Sequence, residues 1–201
     1  MTTNPPITLR SPTKYTPSTT TSSTSPPFKW LNRTWSVTHS TLSMWRSARN
    51  VRITYTPLEP TGKASLPRVD DLVEYEHVSG SGSLKSVAGI DTAAAAADDS
   101  SVWSWRGKGW LFFVTSHWEI LGWGERTRPD GEVERWLVSW FAATTFTKEG
   151  LDILTDRKEG VSEETAGEIF EALKGLEAKR VVELVEKDML PVKISLPWKE
   201  S

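Results

Sequence analysis

The chain has 201 residues, with 24 Lys and Arg, 26 Asp and Glu, no cysteine and 11 tryptophans. This length, with 37% hydrophobic residues, suits the core of one domain. The lack of cysteine excludes disulfide frameworks, thiolate metal sites and cysteine nucleophiles. A net charge of −2 disfavours a general nucleic-acid binder. No apolar run approaches the roughly 20 residues of a membrane span, so we expect a cytoplasmic protein without a membrane span.

The first 27 residues differ in composition from the rest of the chain. They contain nine Thr, five Ser and six Pro. These residue types do not build a packed core and favour extended or turn conformations. Residues 1–27 are therefore predicted to form a disordered Ser/Thr/Pro-rich tail.

From Phe28 to about residue 160, short aromatic and β-branched segments alternate with turns rich in Gly, Pro and Asp, a pattern typical of an antiparallel sheet. Val51, Ile53 and Tyr55 show the period of two most clearly. The pattern predicts eight or nine strands, over residues 29–42, 50–57, 71–78, 84–92, 102–106, 110–115, 117–125, 134–145 and 151–157. Segments 110–115 and 117–125 are alternatively one strand bent near Ser116.

The last segment, residues 161–201, has helical periodicity. Ser162 is the predicted N-cap of a first helix, a second helix follows after a break at Gly175, and Pro191 ends it. Many strands in succession closed by helices predict an antiparallel β-barrel over residues 28–160, with the helical segment packed on it. A closed barrel of about eight strands can hold one small ligand.

The first predicted strand contains Leu31-Asn32-Arg33-Thr34-Trp35-Ser36-Val37. This segment resembles the opening strand of lipocalins and related calycins, with Trp35 in the place of the tryptophan that closes the barrel floor. Lipocalins have a glycine where this chain has Arg33. The resemblance implies that Arg157 packs over that tryptophan and that the fold is a calycin-like barrel. The composition is also similar to that of small fungal lipocalin-like proteins, some of which belong to natural-product pathways.

Tryptophan is the most distinctive residue of the sequence. A tryptophan on a strand either fills the core or lines a cavity for a flat or unsaturated ligand. Alternation places Trp103 and Trp105 on one strand face, and Trp136 and Trp140 on one face of another strand. With Trp45 and Trp123, these four are the predicted aromatic residues of a ligand pocket.

Polar residues on the same strands are the candidates for chemistry. Alternation groups His117 and Glu119 with Leu121 and Trp123, opposite Ser116 and Trp118. If the first group points inward, His117 and Glu119 form a buried acid/base pair, which makes them the predicted catalytic residues. If it points outward, they are surface residues.

The remaining predicted ligand-binding residues are basic. Arg52 and Arg106 alternate with apolar neighbours, and an inward arginine would bind a carboxylate, enolate or carbonyl oxygen. His39 and Arg46 lie where the first strand leaves the barrel and a lid begins. The scattered histidines match no metal-ligand spacing, and the chain has no phosphate-binding loop. We therefore expect no metal and no cofactor.

Three functions are compatible with this pattern. The leading hypothesis is binding of one small hydrophobic or polyunsaturated metabolite in a Trp-lined barrel cavity. The second is a cofactor-independent isomerase or cyclase of secondary metabolism, which fixes and polarises its substrate in the same cavity. The third is a protein-interaction module that uses the C-terminal helices or exposed aromatic residues. We expect a small apolar ligand as partner, no nucleic acid, and a monomer or homodimer.

Overall fold

The computed structural model describes residues 4–15, 25–59, 66–79, 83–95 and 101–200. The strands are β1 (Thr34–Ser40), β2 (Ala48–Leu58), β3 (Arg68–His77), β4 (Leu84–Ala93), β5 (Val102–Gly107), β6 (Thr115–Thr127), β7 (Val133–Phe141), β8 (Gly150–Thr155) and β9 (Leu190–Pro191). The α-helices are α1 (Phe28–Leu31), α2 (Glu163–Lys174) and α3 (Lys179–Asp188), and short 3₁₀ helices span Ser43–Ser47 and Gly109–Leu111.

The first eight strands form a closed antiparallel barrel. Each of β2 to β8 pairs with its sequence neighbour, β8 pairs with β1, and β1 returns to β2 through pairs such as Trp35 with Ile53. The short strand β9 pairs with the last residues of β1, beside the barrel. The predicted antiparallel calycin-like barrel with C-terminal helices is therefore confirmed.

A register shift lies between Arg49 and Arg52 in β2, and two further β-bulges decide which side chains enter the barrel. One lies between Val37 and His39 in β1, and the other between Ile120 and Gly122 in β6. At the second bulge the extra residue breaks the period of two. As a result Leu121 packs in the outer cluster, whereas Trp123 packs against the same interior cluster as Ile120.

The outer face of β6, β7 and β8 is covered by the two C-terminal helices. Ser162 is the N-cap of α2, where its Oγ accepts a hydrogen bond from the Thr165 N–H. The apolar stripe of α2 includes Ile169 and Leu173, which are fully buried against this face. The helices thus give the barrel wall a second hydrophobic layer on its outside.

Residues 4–15 differ from the predicted disordered tail, because they lie along the outside of the barrel. The Arg10 N–H donates to the Leu121 carbonyl, and the Asn4 side chain pairs with the backbone of Thr127. The Ser11 hydroxyl accepts from the Ala178 N–H. Burial of Arg10 and these backbone contacts order a segment whose composition alone favours disorder. Residues 1–3 and 16–24 of the predicted tail lie outside the described residues.

The strand boundaries also differ from the prediction at two places. The predicted first strand, 29–42, begins as helix α1 after two prolines, and β1 ends at Ser40. The predicted strand 110–115 is mostly a 3₁₀ helix and turn, since Gly109 has a φ of +58° and turns the chain out of the sheet. Aromatic content predicts strands at both places, whereas the Pro and Gly residues set the backbone.

Candidate functional site

The barrel interior is lined mainly by aromatic rings. The inward-facing set of tryptophans and tyrosines consists of Trp30, Trp35, Trp45, Tyr55, Tyr75, Trp103, Trp105, Trp118 and Trp123. Trp35 and Trp103 are the most deeply buried of these, at 0% and 2% exposure. The opposite ends of the barrel are closed by rings from outside the strands: Phe28 and Trp30 of α1 at one end, and Trp45 of the 3₁₀ helix at the other.

Four of these rings form a parallel stack across the interior. Phe28 and Trp103 have centroids 6.5 Å apart with planes inclined by 18°. Trp103 and Trp118 are 5.7 Å apart, and Trp118 and Tyr55 are 5.9 Å apart, both with planes inclined by only 11°. The stack presents flat π surfaces, a geometry suited to a planar or unsaturated ligand.

A pair of buried carboxyl groups lies beside this stack. Asp71 of β3 and Asp91 of β4 point inward, and their side chains are hydrogen-bonded to each other. The Trp118 indole N–H donates to Asp91 Oδ1 at 2.7 Å, and the Trp105 indole N–H donates to Asp71. Indole donors from two strands therefore hold the pair from two sides.

The environment of the pair keeps a proton on it at neutral pH. Burial raises the pKa of Asp71 well above its usual range, and the neighbouring carboxylate of Asp91 adds to this effect. Burial also raises the pKa of Asp91 to about 7, against the lowering effect of the Trp118 hydrogen bond. Two carboxyl groups in contact cannot both ionise at low cost, so they share a proton as one unit.

Gly89 makes the Trp105 contact possible. It lies opposite Asp71 in the β3–β4 pairing. A Cβ at this position would lie 2.1 Å from Trp105 Nε1, well inside van der Waals contact. Only a residue without a side chain allows the indole to cross β4 and reach the carboxyl group on β3.

A third carboxyl group, Asp152 of β8, faces the interior from the other side of the barrel. The Ser40 hydroxyl donates to it, and Arg46 lies within electrostatic range. Burial nevertheless raises the pKa of Asp152 to about 7. Burial and the negative charges of Asp71, Asp91 and Asp152 also raise the pKa of the Tyr55 hydroxyl. The charges of all three acids therefore act on the hydroxyl group of Tyr55.

Several buried polar atoms of this interior have no hydrogen-bond partner among the described residues. They are Asp71 Oδ1, Asp91 Oδ2, Asp152 Oδ1, Trp45 Nε1 and Trp103 Nε1. The proton that Asp71 and Asp91 share can form a hydrogen bond to one of the unpartnered oxygens of this pair. The two indole N–H groups and Asp152 Oδ1 stay unpartnered in the described part of the chain. Buried polar atoms of folded proteins are nearly always paired, so these atoms mark the interior as a candidate ligand site.

Of the predicted ligand-binding residues, the structure brings Trp45, Trp103, Trp105 and Trp123 together in this interior. Trp136 and Trp140 do share a face, but it is the outer face, where they pack under the C-terminal helices. Sequence alternation defined each pair without showing which side of the sheet was inside.

The predicted catalytic residues His117 and Glu119 lie on the outer face of β6. Glu119 is fully buried there, because residues 4–15 cover it. Its carboxylate accepts hydrogen bonds from Arg10 Nη1 at 2.6 Å and from the Thr13 hydroxyl at 2.6 Å. His117 Nε2 lies 3.1 Å from the same carboxylate and is partly exposed. Burial acts to raise the pKa of Glu119, but the Thr13 and Arg10 hydrogen bonds lower it overall.

The predicted basic residues also lie outside the interior. Arg52 is buried on the outer face, where it pairs with Glu74 at 3.1 Å and stacks on the Trp198 ring at 5.1 Å. Arg106 is exposed on β5. His39 packs edge-on against Phe170 of α2, and burial lowers its pKa.

Arg46 is the predicted residue that lies at the barrel mouth. Its guanidinium donates to the carbonyls of Ser40 and Asp188, which ties the 3₁₀ helix to β1 and to the end of α3. The adjacent Trp45 is 7% exposed and packs edge-on against Tyr75 at 5.3 Å. Trp45 thus closes the mouth from the segment that was predicted to begin a lid.

Sequence reasoning missed the three interior acids. A signal for two of them exists in the sequence: Val69, Asp71, Val73 and Tyr75 share one face of β3, and Gly89, Asp91 and Ala93 share one face of β4. An acid at the centre of an apolar face is the pattern to notice.

The tryptophan that the lipocalin resemblance predicts at the closed end of the barrel is present, but a different arginine stacks on it. Trp35 is fully buried, and its indole N–H donates to the Leu31 carbonyl at 2.9 Å. The cation stacked on Trp35 is Arg33, with its guanidinium carbon 5.6 Å from the ring centroid. Arg157, which the resemblance assigns to this role, instead pairs with Glu159 at 3.8 Å. The residue that replaces the family glycine therefore supplies the cation.

A second concavity lies outside the barrel, beside its mouth. It has a volume of about 1010 Å³ and is bounded by the 3₁₀ helix after β1, the β7–β8 loop and α3. Its walls carry both acidic and basic side chains, including Glu149, Arg180 and Lys187. Near the mouth, Trp110, Phe112, Phe113 and Phe146 are exposed aromatic residues.

Two features are absent from the described residues, a membrane-spanning helix and a metal-ligand cluster. No helix among them is both long enough and apolar enough to span a membrane. Within the same residues, no three His, Asp or Glu side chains come together in a way that could hold a metal ion. The interior acids are thus not arranged as a metal-ligand set.

Comparison with known proteins supports the fold. No family model and no curated protein matches the chain. Among solved structures, apocrustacyanin C2 matches with a TM-score of 0.51 and 13% identity, covering 94% of this chain and 90% of that chain. Lobster apocrustacyanin A1 matches with a TM-score of 0.49 and 11% identity, covering 84% and 79%. The likeness to apocrustacyanin C2 shows a lipocalin-like barrel fold.

Proposed function

We propose that the chain binds one small, largely aromatic or unsaturated molecule with polar substituents inside its barrel. The observation that carries this proposal is the set of buried polar atoms without a partner, above all the indole N–H groups of Trp45 and Trp103 and Asp152 Oδ1. An interior built only for stability would pair such atoms or replace them with apolar groups, since an unpaired buried polar group costs about 1–3 kcal/mol. A ligand with hydrogen-bonding groups would pair them.

The surrounding rings fit the apolar part of such a ligand. The parallel stack of Phe28, Trp103, Trp118 and Tyr55 offers flat surfaces, and a pocket with mostly apolar walls and a few placed polar groups is the common form of a small-molecule site. Trp45 covers the mouth end on a short 3₁₀ helix, so movement of this segment is the entry route that the proposal requires.

The experiment is native mass spectrometry of the full chain after incubation with cell extract, followed by titration calorimetry with the recovered compound. Trp103→Phe removes the unpaired N–H and retains most of the ring. We expect it to weaken binding by about tenfold, the effect of losing one good hydrogen bond. Trp136→Phe is the matched control on the outer face and should bind as wild type. Equal affinity of the two variants would refute an interior site.

A second function has support from the Asp71–Asp91 pair. A carboxylic acid that keeps its proton at neutral pH in an aromatic, water-poor interior is suited to general acid catalysis. The chain would then be a cofactor-independent isomerase or cyclase in which Asp71 protonates an unsaturated substrate, and the carboxylate so formed takes a proton from another carbon of the resulting cation, which restores the acid. Asp71→Asn should abolish conversion of a bound compound and leave its binding intact, and conversion at the wild-type rate would exclude this role.

Catalysis by His117 and Glu119 stays a separate proposal. These residues are on the outer face, so their substrate would bind beneath residues 4–15 and outside the barrel. His117→Ala with unchanged turnover, in the presence of a compound converted by the wild type, would exclude them.

A further inference from the structure

The charges inside the barrel are unbalanced. Asp71, Asp91 and Asp152 are all buried there, with at most 7% exposure. None of the three forms a salt bridge with any residue in the described ranges, although the chain forms many such bridges elsewhere. The charge of Arg46 acts on Asp152, but its guanidinium hydrogen bonds go to the backbone carbonyls of Ser40 and Asp188 at the mouth.

Two basic side chains on or beside the neighbouring strands point away from these acids. Arg52 of β2 lies on the outer face with Glu74, and Lys108, next to β5, pairs with Asp70 outside the barrel. These cations are therefore paired with acids on the outer wall, whereas the three interior acids have no ion-pair partner among the described residues. Burial of several acids without a counter-charge is costly in the free protein, because each must take up or share a proton.

The aromatic walls of the interior also favour a positively charged ligand. Faces of Trp and Tyr rings carry negative electrostatic potential and attract organic cations, more strongly when water is excluded. Tyr55 and Trp118 of the stack are in direct electrostatic or hydrogen-bonding contact with the acids. A cation bound beside Asp91 would thus meet carboxylate oxygens on one side and ring faces on the other.

We propose that the ligand is an organic amine with a flat aromatic or unsaturated frame, its ammonium group bound by Asp71 and Asp91 and its frame placed against the ring stack. This inference rests on the proposed function, since it names the ligand class of the same site. The protonation balance is simple. At neutral pH an aliphatic amine is already an ammonium ion, so its binding releases the proton that the two carboxyl groups share to solvent and leaves two carboxylates facing one ammonium.

The same geometry disfavours ligand acids. A carboxylate ligand would place a further negative charge among Asp71, Asp91 and Asp152, with no basic side chain of the described residues bonded to any of them. Like charges at short range in a water-poor site repel strongly. Fatty-acid-like ligands should therefore be rejected, although their apolar parts would suit the aromatic walls.

The test uses three probes that share one ring system: 2-(2-naphthyl)ethylamine, 2-(2-naphthyl)ethanol and 2-naphthylacetate. Titration calorimetry with the full chain at neutral pH gives the affinity of each. We expect the amine to bind at least about tenfold more tightly than the alcohol, which is of similar size and neutral, and the acid to bind most weakly.

Variants then connect this preference to the acids. Asp91→Asn and the double variant Asp71→Asn/Asp91→Asn should reduce the ratio of amine to alcohol affinity to near one, with binding of the alcohol retained. The ratio is measured within each variant, so a general loss of affinity does not imitate the effect. Asp70→Asn, one residue away on the outer face of β3, should keep the wild-type ratio.

The outcomes separate the two proposals. Binding of the alcohol or acid as tightly as the amine would overturn the amine inference and leave barrel binding intact. An unchanged ratio in the double variant would also overturn it, because the preference would then come from another place. Absence of binding by all three probes, together with no compound retained from cell extract, would overturn the proposed function itself.

Discussion

Asp152→Asn tests whether the interior acids are held in their neutral form at a cost to stability. Asp152 is almost completely buried, and among the described residues the Ser40 hydroxyl is the one hydrogen-bond donor to its side chain. Asparagine has nearly the same shape and is neutral at every pH. Its amide can accept from or donate to the same hydroxyl. The substitution therefore removes ionisation while it changes packing little.

The size of the effect follows from the raised pKa. A change in the pKa of Asp152 from 3.8 in the unfolded chain to about 7 in the folded protein corresponds to about 4 kcal/mol. The folded state binds more protons than the unfolded state between these two values, so the free energy of unfolding falls as pH rises through this interval. The wild type loses about 4 kcal/mol of its free energy of unfolding when Asp152 ionises, whereas the Asp152→Asn variant has no ionisable group at this position and keeps its stability.

The assay is urea denaturation of both proteins at about pH 5, 6.5 and 8.5, followed by near-ultraviolet circular dichroism. At about pH 5, which is about 1.2 units above the unfolded pKa, the variant should already be more stable by about 1.6 kcal/mol. At about pH 8.5 the variant should be more stable by up to about 4 kcal/mol. Asp70→Asn, which removes a partly exposed ion pair with Lys108, should shift stability by under about 1 kcal/mol. Parallel pH profiles for wild type and Asp152→Asn would refute the reasoning.

Three other substitutions test the supports of the barrel. Gly89→Ala should destabilise by about 1–3 kcal/mol and alter near-ultraviolet circular dichroism, since the new Cβ displaces Trp105. Glu119→Gln should cost about 3 kcal/mol, because it leaves the buried cation of Arg10 unpaired, and should speed proteolysis within residues 4–15. Ser162→Ala should cost about 1–2 kcal/mol in urea denaturation through loss of the α2 cap.

Each of these three substitutions has a control in which the same residue type is replaced by the same residue elsewhere in the chain. Gly167→Ala lies in α2 with open space around the new Cβ and should stabilise by up to about 1 kcal/mol. Glu125→Gln removes a half-exposed ion pair, so a cost equal to that of Glu119→Gln would contradict the role of burial. Ser104→Ala is an exposed strand position, and Ser162→Ala must cost more than this control if the cap matters.

The barrel could be predicted from the sequence because each strand carries its own local signal. The alternation of Val51, Ile53 and Tyr55 and the turn residues between strands depend only on near neighbours along the chain. The order of the strands and the helix cap at Ser162 also follow from such local signals, and the structure confirms both. The segment around Gly109 failed because aromatic residues favour strands, but a positive φ at glycine overrides that preference.

The site was harder to predict because it depends on which face is inside. Alternation placed His117 with Glu119 correctly on one face, and nothing local shows that residues 4–15 return to cover that face from outside. The bulge after Ile120 moves Trp123 to the opposite side from its predicted group. Asp71 and Asp91 lie on different strands, so their contact exists only after the sheet has formed.

The parallel indoles of Trp103 and Trp118 have a spectroscopic consequence. Two such chromophores at 5.7 Å are close enough for their electronic transitions to couple, and wherever the transition dipoles are skewed the coupling gives a paired positive and negative band in the far-ultraviolet circular dichroism spectrum. The sign and size of this couplet depend on the mutual orientation of the rings. A guest that slides between them or tilts either ring would change the couplet directly. The protein thus has an intrinsic optical reporter of barrel occupancy, which needs no label on guest or host.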